Sequence, residues 1–162
     1  MEILESKERE SAKKYLEKAA GISGKVICPV RRIGAVLVKD GKVIGEGYNG
    51  PLQHSCETCL LDMLEKGVKT ELCFAMHAEE RALVDTLEKG HDPKGATLYS
   101  TYAKGDKLYS TEDSFCAHCS RILMESGISE VVLPQENKFI SYPIQEFYDL
   151  SFDKFVKEKY LM

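Results

Sequence analysis

Two runs of ligand-type residues govern what this chain can fold into: Cys73-Phe-Ala-Met-His77-Ala-Glu79-Glu80-Arg81 and, thirty-nine positions after His77, Phe115-Cys116-Ala-His118-Cys119. The first opens a stretch of helical apolar spacing, with Met76, Leu83 and Leu87 on one line and Ala75, Ala78 and Ala82 on another. The second sets a Cys-x-x-Cys at the start of a helical stretch. Two thiolates then share one side of the first turn, at about the separation one tetrahedral ion needs. One imidazole and two thiolates make three protein donors and leave a fourth position for water, as in a catalytic zinc site rather than a closed structural one. Glu79, two residues beyond His77, is near enough to such a site to act as a base and too far round to coordinate with it. Taken singly, His77 would be a surface histidine and the cysteines buried or redox-active residues. The two halves together favour the metal.

The 162 residues suit one domain with one core. A net charge of −4 with no basic run argues against a large nucleic-acid footprint. No apolar run approaches the roughly twenty residues of a membrane span, and the charged opening lacks an apolar signal core. A cytoplasmic location is therefore expected. Thiols stay reduced there, so the six cysteines read as metal ligands before disulfides.

In chain order, residues 6–20 predict a helix ending near Gly21 and Gly24. Ile33-Gly-Ala-Val-Leu-Val38 predicts a strand buried on both faces. Asp40-Gly41 predicts a hairpin turn into a return strand over 43–47, and Tyr48-Asn49-Gly50-Pro51 predicts a turn. Residues 52–73 are long and mixed, with a short helix expected over 59–66. A central helix is expected from about 75 to 89, a third strand over 96–101, a second central helix from Cys116 to about Gly127, and a fourth strand over 128–133 stopped by Pro134. Strand, helix and strand in that order imply a parallel pairing. Residues 145–158 predict a C-terminal helix whose Phe147, Tyr148, Leu150, Phe152 and Phe155 serve packing or a subunit contact.

His-x-Glu followed by Pro-Cys-x-x-Cys is the zinc deaminase signature. His77-Ala-Glu79 and Cys116-Ala-His118-Cys119 match it, with Phe115 in place of the proline. The chain thus resembles the cytidine/deoxycytidylate deaminase superfamily, from about Ile33 to Leu133. The loss of the proline, which would fix φ ahead of the helix, is expected to loosen that turn. The resemblance implies a single three-layer α/β/α domain on a mixed sheet of about five strands. It implies Zn²⁺ held by His77, Cys116 and Cys119, Glu79 as proton shuttle, and Glu80 as a surface or ion-pair residue. Tyr48-Asn49-Gly50-Pro51 and the chain length are similar to the deoxycytidylate branch, which implies substrate contacts at Asn49 and Ala78 and dCMP as substrate. Another small nucleobase, nucleoside or pterin-type substrate, and a catalytically weak zinc module, stand as alternatives. The resemblance also implies a homo-oligomer.

Three features stay open at this level. Cys56-x-x-Cys59 is a second metal-type knuckle, and Cys28 and Cys73 would complete four thiolates, with His54 as a spare nitrogen. The resemblance implies a second, structural zinc there; otherwise Cys28 and Cys73 are small buried apolar residues. Residues 102–115 exceed the family pattern and form either a hairpin tipped at Lys104-Gly105-Asp106-Lys107 or a loop at the pocket mouth. Arg31, Arg32 and Lys104 are candidates to meet a phosphate.

Overall fold

A computed structural model describes residues 1–26, 28, 32–51, 75–104, 107–109, 114–136 and 138–160. The elements are β1 (Glu2–Ile3), α1 (Ser6–Ser23), β2 (Ile33–Lys39), β3 (Lys42–Tyr48), α2 (Ala78–Glu88), β4 (Thr97–Lys104), β5 (Lys107–Tyr109), α3 (Ala117–Glu125), β6 (Glu130–Gln135), β7 (Lys138–Pro143) and α4 (Ile144–Tyr160). The strands form one mixed sheet in the order β1-β7-β6-β4-β2-β3, with β5 paired to β4. Among the described residues only β4 and β6 run parallel, joined through β5 and α3.

The apolar run of β2 alternates in its partners. Val36 and Val38 face α1, where Ala12, Tyr15, Leu16, Ala19 and Ile22 cover them together with Tyr99 and Val132. Ala35 and Leu37 face the other way, into a core shared by α2, α3 and α4 through Ala82, Leu83, Leu123 and Phe147. A strand clothed by helices on both faces has no polar side, which is why its sequence is unbroken apolar. The layers are therefore α1, the sheet, and α2 with α3 and α4, as expected for an α/β/α domain. Between β2 and β3, Asp40 and Gly41 take φ of 52° and 72°, the left-handed pair that a two-residue hairpin turn needs.

The sheet has seven strands where about five were expected. The surplus is in short or edge pieces with weak sequence signals. β1 is two residues long. The 102–115 segment resolves towards the hairpin alternative: β4 runs on to Lys104 and pairs antiparallel with β5, Lys104 opposite Lys107. β6 does not stop at Pro134 but carries it opposite Phe139 of β7. Pairing of β6 with β4 ends at Val132, so Pro134 is flanked by one strand only, where a missing N–H is tolerated. The first helix runs three residues past its expected end, to Ser23. α2 begins at Ala78 rather than near 75.

α2 lies on β3 at two glycines, with the Thr86 side chain seated over Gly45 and backbone alone over Gly47. A Cβ on Gly45 would stand 2.3 Å from the carbonyl oxygen of Ala82, and one on Gly47 2.1 Å from that of Ala78. Both are far inside van der Waals contact with backbone that cannot move without the helix. Gly47→Ala should therefore displace the first turn of α2 and cost about 1–3 kcal/mol or more. The check is a fall in the urea midpoint at unchanged m-value.

Candidate active site

The chain reaches α2 through a single β-bridge. Gly50 N–H donates to Met76 O at 3.1 Å and Met76 N–H to Gly50 O at 2.9 Å. Arg81 reinforces this turn: its guanidinium lies 4.5 Å from the centre of the Tyr48 ring and donates to Gly50 O at 3.0 Å. His77 follows as the N-cap of α2, in extended conformation (φ −75°, ψ 154°), so it precedes the helix rather than riding on it. Cys116 is likewise the extended N-cap of α3 (φ −105°, ψ 115°). Two helix N-termini thus converge, each bringing a positive dipole end to the same point, the first closed by a capping box between His77 and Glu80. Such ends favour thiolates.

His77 Nδ1 lies 3.0 Å from Cys119 Sγ and 3.6 Å from Cys116 Sγ. The three donor atoms all lie within 4.8 Å of one another. Glu79 points into the same centre. It is buried, its Oε2 is 4.0 Å from Cys119 Sγ, and its Oε1 accepts a 2.8 Å hydrogen bond from the Ser100 hydroxyl. Ser100 was not singled out from sequence. The signal was available in the alternation of β4: Leu98 faces the α2 core, so Ser100 does too.

Burial, opposed by His77 and by the Ser100 hydrogen bond, pushes the Glu79 carboxyl above the usual range. The hydrogen bond from Cys119, helped by His77, holds the Cys116 thiol down at about 3. The hydrogen bond to Cys116 raises His77 to about 9. Cys119, which donates to Cys116, is instead pushed well above the usual thiol range, chiefly by that same bond. The donor set fits zinc: soft thiolates with an imidazole. Zinc–nitrogen and zinc–sulfur bonds of about 2.0 and 2.3 Å at tetrahedral angles set the nitrogen–sulfur separation near 3.6 Å. One pair already stands at 3.6 Å and the other at 3.0 Å.

Of the two readings of Glu80, surface or ion-pair, the structure favours the second, with His118 as the partner. The Glu80 side chain is 13% exposed; Oε2 accepts the His77 backbone N–H at 3.0 Å, and Oε1 lies 2.9 Å from His118 Nε2. Phe115 does not leave its turn loose. Its ring meets Tyr142 edge-on at 5.2 Å and Phe147 at 5.4 Å, so packing holds the cysteine loop where a proline ring would have held it. Of the apolar and aromatic residues of the C-terminal helix, Phe147 is in the core, while Leu150, Phe152 and Phe155 are exposed.

Asn49 is buried at the end of β3. Its Oδ1 accepts the Ile33 N–H at 2.7 Å, and its own N–H donates to Ile33 O. Ala78 is wholly buried, so any substrate contact from it comes from its backbone. Cys28 is a buried free cysteine. Cys56, Cys59, Cys73 and His54 lie outside the described residues, as does Arg31, so the second metal site is beyond this description. No helix among the described residues is long and apolar enough to cross a membrane.

An imidazole and two thiols that could hold a metal, beside a buried carboxyl on an α/β/α sheet, make up a donor set of the kind a zinc deaminase uses. The family model described as the cytidine and deoxycytidylate deaminase zinc-binding region matches residues 9–135, and the chain belongs to that family. It is 34% identical over 152 residues to the deoxycytidylate deaminase of Saccharomyces cerevisiae, covering 83% of this chain and 43% of that one. It thus spans less than half of the yeast relative. It is also 34% identical over 132 residues to the deoxycytidylate deaminase of Mycobacterium phage D29, covering 76% of this chain and 93% of that one. The crystal structure of the cyanophage S-TIM5 dCMP deaminase in complex with dCMP and dUMP superposes with a TM-score of 0.56 at 27% identity, covering 75% of this chain and 79% of that one.

Replacing Phe115 by Ala removes two ring contacts but no metal donor. The expected loss is on the order of 2–4 kcal/mol of stability with zinc stoichiometry unchanged, read from urea melts and metal analysis.

Proposed function

We propose that this chain hydrolyses dCMP to dUMP and ammonia, with His77, Cys116 and Cys119 as zinc ligands and Glu79 as general acid and base. The observation that carries the reading is the buried Glu79 carboxyl 4.0 Å from the Cys119 sulfur of the donor triad. Bound there, zinc supplies a water acidic enough to be a nucleophile at neutral pH, its pKa brought from 15.7 towards about 7. Ser100 engages Oε1 of Glu79 and leaves Oε2 turned to the sulfurs, so one oxygen is anchored and the other moves protons. Glu79 takes a proton from water as oxygen adds to C4 of the cytosine ring and gives it to N3. It then takes the remaining proton from the C4 hydroxyl and passes it to the amino nitrogen; the C4–N bond breaks as the C4 carbonyl forms, and ammonia leaves. The raised pKa of Glu79 suits this work, because the carboxyl must hold a proton between steps.

The preference for dCMP rests on the deoxycytidylate deaminases among the relatives and on the nucleotide complex of the cyanophage enzyme. Incubation with dCMP, CMP, cytidine and guanine, following absorbance and ammonia, should show turnover on dCMP above the others; zinc without ammonia from any of them overturns the reading. In the same assay Glu79→Gln should retain zinc and fold but lose about 10²–10⁴-fold in kcat, whereas His77→Ala, Cys116→Ala and chelation should remove metal and activity together.

The reading extends to self-association. Val84, Leu87 and Ile122 stand exposed along a groove between α2 and α3, an apolar strip of the kind a second copy would cover. Sedimentation should then show a species heavier than the 18.2 kDa chain.

A further inference from the structure

The donor triad is split between two elements, so its geometry depends on how α2 is set against α3. A run of polar contacts joins the two helices. Arg121 Nη2 lies 3.2 Å from His118 Nδ1. A guanidinium can only donate, so Nδ1 accepts, and the ring proton of His118 sits on Nε2. That nitrogen lies 2.9 Å from Glu80 Oε1 and donates to it. The other oxygen, Oε2, accepts the backbone N–H of His77 itself. A continuous run of hydrogen bonds thus leads from the second turn of α3 to the main chain of a metal-ligating residue. His118 lies between Cys116 and Cys119, so the run ties the cysteine half of the triad to the histidine half.

We infer that Glu80 is a positioning residue for the metal centre: with His118 it clasps α2 to α3 and holds the donor triad at its zinc-binding spacing. The inference rests on the assignment of His77, Cys116 and Cys119 as zinc ligands. The carboxylate is required because it faces two donors at once. A glutamine offers one oxygen and one NH₂, so it satisfies His77 or His118 but not both. The residue touches neither substrate nor metal and acts only through the ligands it holds. Outer partners of metal ligands commonly matter by about 10–100-fold in metal affinity.

The test is a double-mutant cycle on the full chain, with zinc affinity measured by competition against a chromophoric chelator. Glu80→Ala and His118→Ala should each weaken zinc by about 10–100-fold. The double variant should be no weaker than the worse single one, because one clasp is lost either way. Glu80→Gln should fall between wild type and Glu80→Ala and supplies the readout should the alanine variant fail to fold. A purely structural role gives the opposite split: melting of the metal-free protein falls while zinc affinity stays put. That result, or losses that multiply, overturns the clasp. Wild-type protein that binds no zinc overturns the ligand assignment, and the clasp with it.

Discussion

A helix can deliver a side chain to a fixed point only if its own backbone is fixed, and α2 is fixed by lying directly on β3. Gly45 and Gly47 leave out the Cβ atoms that would hold the two apart. At Gly47 the contact is main chain against main chain, and main chain has no rotamers to relax through. From that seat follow the place of the first turn, the extended His77 ahead of it and the inward aim of Glu79. The parallel return from β4 through α3 to β6 brings the second helix N-terminus to the same end of the sheet.

The electrostatics of the site have the same origin. Burial alone would drive thiols and a carboxyl to hold their protons. At this point the hydrogen bond from Cys119 and the imidazole of His77 oppose that tendency for Cys116, and nothing does so fully for Glu79. One acidic group is therefore pushed towards its anion and the other towards its acid within a few ångströms. That division is what the proposed cation binding and proton transfer would use.

Much of this was legible in the sequence because each signal was local. His77, Glu79, Cys116 and Cys119 announce themselves by spacing, and the structure brings them together as expected. The strand of 33–38 and the Asp40-Gly41 turn follow from apolar pattern and backbone chemistry. What escaped was set by distant partners. Sequence leaves Glu80 as a surface or ion-pair residue; its partners, a ring on another helix and a backbone N–H, are what it does not name. β7 and the passage of β6 through Pro134 depend on which strands lie alongside, which no single segment records. Phe115 looked like a loss because the partners of its ring lie on β7 and α4, twenty-seven and thirty-two positions later.

That ring has a thermal consequence. A proline restrains its turn through covalent bonds, whose stiffness hardly varies between 0 °C and body temperature. A phenyl group wedged between two others restrains it through apolar contact, which weakens as water cools. The loop carrying Cys116 is thus tethered by a force with a temperature coefficient, and its order in the cold is bound up with that of the final helix.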